Sequence, residues 1–363
     1  MAPRPAPHHP RRAGLRRGRA TGRPARHGGG REGEGSGGRP PVSRGTTEFV
    51  LLSGFLGSGK TSLLLDWLAL PEAEDTAVIV NEAGEIDIDG AIIAESGTLP
   101  MAMLANGCVC CTLTSDLVFT IRELVAARER DGGPPFRRIV LECSGLSKPG
   151  PILRSLMPLA ALGLQVRVVT LCDAVLAPRQ AEHFEEWSAQ VAAAGTLVLS
   201  KLDRAAPEPA IAALRAVNPL APVVAEADGA ARARTTFLST RGAAPVAGLP
   251  QAAPHPRITL ALARFTPAAS WEERLDWLED LAAFCGDRLL RVKGLLHPPS
   301  GPPLLVQGVG TVYSPLAPLP GAIGREEALV VILRDLTLAE LRSMAPETLV
   351  EWQQPSARGL ACF

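Results

Sequence analysis

Aromatic side chains are scarce in this 363-residue chain: they make up 4% of it, with a single Tyr. Hydrophobic residues still reach 46%, so the core has to be built mainly from Ala, Val and Leu. Net charge is absent as well, because 37 basic residues balance 37 acidic ones. A chain without a basic excess is not an evident nucleic-acid binder, since phosphate backbones are held by positive charge. No apolar run is long enough to span a bilayer. The pair Arg11-Arg12 is not followed by an apolar stretch, which argues against export. Neither nucleic acid nor membrane is expected as a partner, and the expected setting is cytoplasmic. A disulfide framework is missing too. Of seven cysteines, three crowd into Cys108-Val-Cys110-Cys111, a pattern that suggests thiols and metal.

The chain divides by composition. Residues 1–45 are packed with Arg, Gly and Pro and have almost no aliphatic side chains. Such a segment buries too little surface to offset its chain entropy, so a disordered basic tail is expected. A nucleic-acid or lipid-binding arm, a targeting peptide and a translation start near Thr46 are the other readings. From 46 to 204, strands alternate with helices. Strand candidates are Phe49–Ser53, Ala77–Asn81, Arg138–Glu142, Val166–Asp173 and Thr196–Ser200, with Asp116–Arg130 as the clearest helix. This alternation predicts an α/β domain with a parallel sheet, whose ligands sit at the carboxyl ends of the strands. Residues 205–256 are rich in Ala and Pro and read as linker, with Ala210–Val217 as a candidate helix. Residues 257–350 read as a smaller α+β domain, with Leu289–Leu295, Leu304–Val312 and Ala328–Leu333 among its strand candidates, and 351–363 as a tail. In the smaller domain, Ser270-Trp-Glu-Glu273 and Thr337-Leu-Ala-Glu340 carry helix-start capping chemistry.

The strongest motif is Gly54-Phe-Leu-Gly57-Ser58-Gly59-Lys60-Thr61, which fits the phosphate-binding loop pattern. A strand precedes it, and a helix starting near Ser62 follows it. Glycines let the backbone wrap a phosphate with its N–H groups inward, and the helix N-terminus adds positive potential. Lys60 can reach the β/γ-phosphates, and the Thr61 hydroxyl can ligate Mg²⁺. The Cys108-Val-Cys110-Cys111 cluster lies just ahead of a polar helix start. Thiolates are soft ligands suited to Zn²⁺, and three without an obvious local fourth suit a labile site. A regulatory disulfide between neighbouring thiols is the rival reading. Ile139-Val-Leu-Glu142 ends an apolar strand in a carboxylate able to hold Mg²⁺ or its water beside a γ-phosphate. Gly145 behind it allows close backbone approach. Ser200-Lys201-Leu202-Asp203 falls where a guanine-reading loop would, with Ser in place of the usual Asn. There Asp203 would accept from the guanine edge and the Lys201 stem would pack over the base. A charged strand exit is the alternative.

Together these motifs resemble the CobW-like family of P-loop GTPases, regarded as metal chaperones, over roughly Glu48 to Val350. Asn81-Glu82-Ala83-Gly84-Glu85, followed by Ile86-Asp87-Ile88-Asp89, is similar to a family stretch. So are Cys108–Cys111, the run Glu142 to Pro149, and Arg291-Val-Lys293-Gly294 in the second domain. The resemblance implies a P-loop GTPase domain followed by an α+β C-terminal domain. It also implies GTP hydrolysis coupled to delivery of Zn²⁺ or Co²⁺ to a client metalloprotein. The site residues would be Gly54, Gly57, Ser58, Gly59, Lys60, Thr61 and Ser62 for phosphate, with Lys201 and Asp203 for the base. Thr61 and Glu142 would hold Mg²⁺, Cys108, Cys110 and Cys111 the transported metal, and Lys60 and Glu142 would serve catalysis. The loop from Ala83 to Thr112 would be the switch, and self-association is left open. Ala83, Cys143 and Ser200 depart from the family pattern, and the histidine-rich stretch of some members is absent. A non-catalytic thiol storage or redox-sensing protein, and an ATP-using enzyme, are the rivals.

Overall fold

The computed structural model describes residues 46–80, 101–103, 113–238 and 255–355. Its first sheet is wholly parallel. The elements of this half are β1 (Glu48–Gly54), α1 (Lys60–Leu68), β2 (Thr76–Val80) and β3 (Met101–Met103). They continue with α2 (Leu113–Arg130), β4 (Arg138–Glu142), α3 (Pro149–Ser155) and β5 (Gln165–Asp173). Then come α4 (Ala177–His183), α5 (Glu185–Ala193), β6 (Thr196–Ser200), α6 (Glu208–Val217), β7 (Val223–Val224) and α7 (Gly229–Leu238). Strand order is β3-β2-β4-β1-β5-β6-β7, so β1 sits centrally between β4 and β5.

Burial on both faces explains why these strands read as unbroken apolar runs. Phe49 and Leu51 of β1 pack in one cluster with Ile121 of α2 and Ile152 of α3. Their neighbours Val50 and Leu52 pack in another with Leu64 and Trp67 of α1 and Phe237 of α7. Successive side chains of a strand point to opposite faces, so one run of four residues serves two cores.

The second half begins with β8 (Ile258–Phe265), α8 (Trp271–Cys285) and β9 (Leu289–Leu296). It continues through β10 (Leu304–Val309), β11 (Val312–Tyr313) and β12 (Ala317–Pro318). β13 (Ala328–Arg334), α9 (Leu338–Arg342) and β14 (Val350–Gln353) complete it. Its sheet is antiparallel, in the order β11-β10-β9-β13-β8-β14, with β12 on β10. Both expected capping boxes form, at Ser270–Glu273 and at Thr337–Glu340. In β13, Leu329, Val331 and Leu333 face α8 with Trp277 and Leu281. Ile332 turns the other way and joins the core around Trp187 and Leu214 of the first half. The two halves therefore share packed side chains as well as chain.

Three sequence readings need correction. The Ala/Pro-rich stretch expected to be linker with one helix does carry that helix, α6, but it also carries β7 and α7 up to Leu238. β7 extends the parallel sheet beside β6, and Phe237 of α7 stacks on Trp67 with ring centroids 4.8 Å apart. Tertiary burial outweighs the local Pro signal there. The strand expected over Leu304–Val312 is a tight hairpin instead, turning at Gly310 with φ 57°. The expected tail begins with strand β14, which pairs with β8 from Val350 to Gln353. No helix among the described residues is long and apolar enough to cross a membrane.

Candidate functional site

The first strand and first helix meet in a turn that only glycine permits at three points. Gly54, Gly57 and Gly59 have φ of 149°, 69° and 92°, values in the region where a Cβ is strained. At Gly54 a Cβ would also stand 2.6 Å from the carbonyl oxygen of Leu171. Gly59 is the N-cap of α1 and offers no side-chain cap, so the first helical N–H groups turn into the loop without an internal acceptor. The buried Lys60 folds back and donates from Nζ to the Gly54 carbonyl at 3.0 Å. Its ammonium is thus held over the hollow of the loop. Ser58 is buried and its Oγ has no protein partner among the described residues. Ser62 is exposed at the start of α1.

Thr61 follows, and its Oγ1 donates to Oε1 of Glu142 at 2.8 Å. Glu142 is buried at the carboxyl end of β4, one strand away. A hydroxyl and a buried carboxylate in contact beside a phosphate loop form a donor set suited to a hard cation. The residues present fit Mg²⁺. Behind Glu142 the backbone comes down onto the phosphate loop. A Cβ on Gly145 would lie 2.7 Å from the Leu56 nitrogen, so only glycine allows that approach. Cys143 lies between them, buried in the apolar cluster with Leu141 and Ile152. Burial pushes its thiol up to about 12, with Lys60 opposing and Glu142 assisting. It is a packing residue in its neutral form.

The last strand end joins from the other side. Ser200 Oγ donates to the Ser58 carbonyl at 2.7 Å, tying the loop after β6 to the phosphate loop. Thus Ser in place of Asn still bridges the two segments, by a shorter arm. Lys201 adopts φ 57° and its Nζ contacts Asp173 Oδ2 at 2.6 Å. Asp173 is itself fixed by N–H donation from Val175 at 2.8 Å and from Leu176 at 3.3 Å, both to Oδ1. This carboxylate fixes the position of the Lys201 ammonium. Asp203 is exposed next to Arg204, 3.5 Å away, free of the core.

Gly54, Gly57, Ser58, Gly59, Lys60, Thr61, Glu142, Lys201 and Asp203 therefore lie around one end of the parallel sheet. Asp173 is legible in the sequence only as a strand end, and Gln190, buried on α5 and donating to the carbonyls of Gly145 and Ser147 behind Glu142, is not legible there at all. The signal for Asp173 was the polar residue closing an apolar strand; Gln190 had none. Cys108, Cys110, Cys111 and the stretch from Asn81 to Asp89 lie outside the described residues. Among the described residues no three His, Cys, Asp or Glu side chains cluster as metal ligands.

The geometry defines a P-loop nucleotide-binding domain followed by an antiparallel C-terminal domain. Residues 48–225 match the CobW/HypB/UreG nucleotide-binding domain, and 262–345 match the cobalamin synthesis protein cobW C-terminal domain. The chain is 32% identical over 280 residues to the zinc chaperone YjiA of Escherichia coli (strain K12). That match covers 73% of this chain and 86% of YjiA. It is 38% identical over 169 residues to the zinc chaperone YeiR of the same organism, covering 45% of this chain and 48% of YeiR. The crystal structure of Zn(II)-bound YjiA GTPase from E. coli superposes with a TM-score of 0.61 at 25% identity, over 82% of this chain and 98% of that one. The chain belongs to the CobW family, within the CobW/HypB/UreG group of P-loop GTPases.

Proposed function

We propose that this protein is a GTP-hydrolysing metal chaperone that carries Zn²⁺ (or Co²⁺) on Cys108, Cys110 and Cys111 and passes it to a client metalloprotein. The observation that carries the reading is the Thr61–Glu142 contact of 2.8 Å beside the Lys60 ammonium. It puts a cation-holding pair and a fixed positive charge at one phosphate-sized loop. The names of its relatives, zinc chaperones and a zinc-regulated GTPase metalloprotein activator, support the cargo.

In this reading the N–H groups of Gly57 and Gly59, with the start of α1 through Ser62, cradle the β-phosphate beside Ser58, whose own N–H donates to the Phe55 carbonyl at 3.1 Å. Lys60 sits at the β/γ bridge and stabilises charge that develops there as the bond breaks. Thr61 and Glu142 hold Mg²⁺, which supplies charge neutralisation on the phosphate oxygens. Asp203 accepts from the guanine N1–H and amino group, and Lys201, steered by Asp173, packs over the base. Ser200 keeps that loop in register with the phosphate loop through the Ser58 carbonyl. The cysteines sit in sequence between segments that flank the nucleotide. Ordering of the intervening residues by a γ-phosphate would then change how the three sulfurs are arranged.

The test is protein purified anaerobically, analysed for bound metal and for GTP hydrolysis. Zn²⁺ affinity is then titrated against a chromophoric chelator with a non-hydrolysable GTP analogue or with GDP. A nucleotide-driven chaperone shows affinities that differ by a coupling of about 1–3 kcal/mol, with reciprocal effects of metal on nucleotide binding. Cys110→Ser with Cys111→Ser abolishes metal binding in both states. Bound metal with no GTP turnover and equal affinities would instead establish a non-catalytic thiol store or redox sensor with a structural nucleotide.

A further inference from the structure

Helix α5 touches both halves of the molecule at chemically specific points. Its Gln190 is wholly buried and donates from Nε2 to the carbonyls of Gly145 and Ser147, each at 3.0 Å. Those carbonyls belong to the loop running from Glu142, bonded to Thr61, to Lys148, which precedes α3. At the first turn of α5, Glu185 pairs with the Lys148 ammonium. The same carboxylate faces the C-terminal domain, with Arg334 at 3.2 Å and Arg257 at 3.9 Å. At the other end of α5, the Ala193 carbonyl accepts from the buried guanidinium of Arg291 on β9.

Two physical constraints make this more than contact. Gly145 is pressed against the phosphate loop, where a Cβ would lie 2.7 Å from the Leu56 nitrogen. Any shift of the loop that admits a γ-phosphate must therefore carry Gly145 along. Its carbonyl is buried on Gln190, and breaking that bond without a replacement orphans a buried acceptor. Moving the helix with the loop is the less costly response. Glu185, in turn, divides one carboxylate between a cation on the nucleotide side and two on the C-terminal side. Loss of the Lys148 partner strengthens the claim of the arginines. Arg257 is also held by Asp335 at 2.6 Å, so that side of the junction has a second anchor.

We propose that α5 transmits the state of the Glu142–Lys148 loop to the C-terminal sheet, with Gln190 as the residue that positions the loop and Glu185 as the joint. This rests on the GTPase reading and adds the route by which nucleotide reaches the second domain. The test uses the full-length chain with GDP or with a non-hydrolysable GTP analogue. Hydrogen–deuterium exchange is followed in peptides covering 258–265 and 328–334, alongside kcat and KM for GTP. In the unaltered protein, exchange in these peptides differs between the two nucleotides. Glu185→Gln cuts that difference while GTP affinity stays within about twofold, as expected of a half-exposed ion pair. Gln190→Met removes the difference and lowers kcat about tenfold with little change in KM, as loss of a positioning hydrogen bond would. Should Gln190→Met fail to fold, Lys148→Met replaces it and shows the same loss of difference as Glu185→Gln. A nucleotide-dependent difference that survives these substitutions overturns the proposal, as does a protein that binds both nucleotides and shows none. A chain that binds no GTP overturns the functional reading, and this proposal with it.

Discussion

In the parallel sheet, buried polar side chains stand at or beside the carboxyl ends of strands, Ser53 in β1, Glu142 in β4, Asp173 in β5 and Ser200 in β6, while Thr170 inside β5 is satisfied by the Gln190 carbonyl at 2.9 Å. In the antiparallel sheet the comparable groups stand in mid-strand, where Arg291 and Lys293 lie on β9 facing the first domain. The difference is one of what can satisfy them. A polar group at a strand end opens onto a loop and can wait for a ligand. A polar group in mid-strand has to be satisfied by protein, or it costs desolvation. Arg291 reaches the Ala193 carbonyl. Lys293 makes no ion pair with a carboxylate among the described residues, and burial together with Arg291 lowers its pKa to about 8. The first sheet carries the chemistry, and the second carries the junction.

The largest test of this division is Lys60→Ala. It removes the charge at the bridge oxygen and should lower GTP turnover by about 10²–10³-fold, with a stability change near 1 kcal/mol or less. Turnover and melting temperature measured on one preparation decide it. Equal losses in both would move Lys60 from the site to the scaffold.

The same substitution made in β9 and in the loop that follows β4 should separate them next. At Gly294 a Cβ would lie 2.1 Å from the Ala328 carbonyl oxygen, so Gly294→Ala overpacks the junction between β9 and β13. It should cost about 3 kcal/mol in urea unfolding. Gly145→Ala also meets backbone, but at a loop beside the phosphates. It should cost turnover more than stability. If both variants lose stability equally and keep turnover, the contrast between strand ends and mid-strand fails.

Base selection comes third. Asp203→Asn exchanges one acceptor for a donor and should shift preference from GTP toward XTP by about 1–3 kcal/mol. Competition binding among GTP, ATP and XTP measures it. Equal binding of ATP and GTP by the unaltered chain would remove the guanine assignment and leave the ATP-using alternative.

The smallest effect concerns Lys293. Its folded pKa, about 8, lies below its ordinary value of 10.5. Between those values the unfolded chain holds more protons than the folded one, so stability rises with pH across that window. Below about pH 8 the cost of burying the charge is present in full. Lys293→Met should therefore stabilise at pH 7 by about 1–3 kcal/mol, and its advantage should shrink toward pH 10. Urea unfolding of both proteins at each pH reads the difference and cancels the other titrating groups. An advantage that does not change with pH would assign it to packing alone.

The local parts of this protein are legible from neighbouring residues. The phosphate loop needs three glycines, a lysine and a threonine between a strand and a helix, and all of these are neighbours. Glu142 was legible because it closes an apolar strand, and the helix starts at Ser270 and Thr337 because a capping box spans four residues. Such features depend on backbone sterics and on hydrogen bonds that reach one turn. Tertiary structure alone decided the rest. The Ala/Pro-rich composition around it masked α7, a Pro-free segment whose start Asp228 caps by accepting from the Ala231 N–H; what seats it on the sheet is Phe237 against Trp67. Ser200 became the tie to Ser58 across 142 residues of chain, and Gln190 met Gly145 across 45. Hydrogen bonds of that range leave no period or spacing in the sequence. They exist because folding brings the ends of different strands to one edge, where a buried polar atom must find its partner among whatever the sheet has placed beside it.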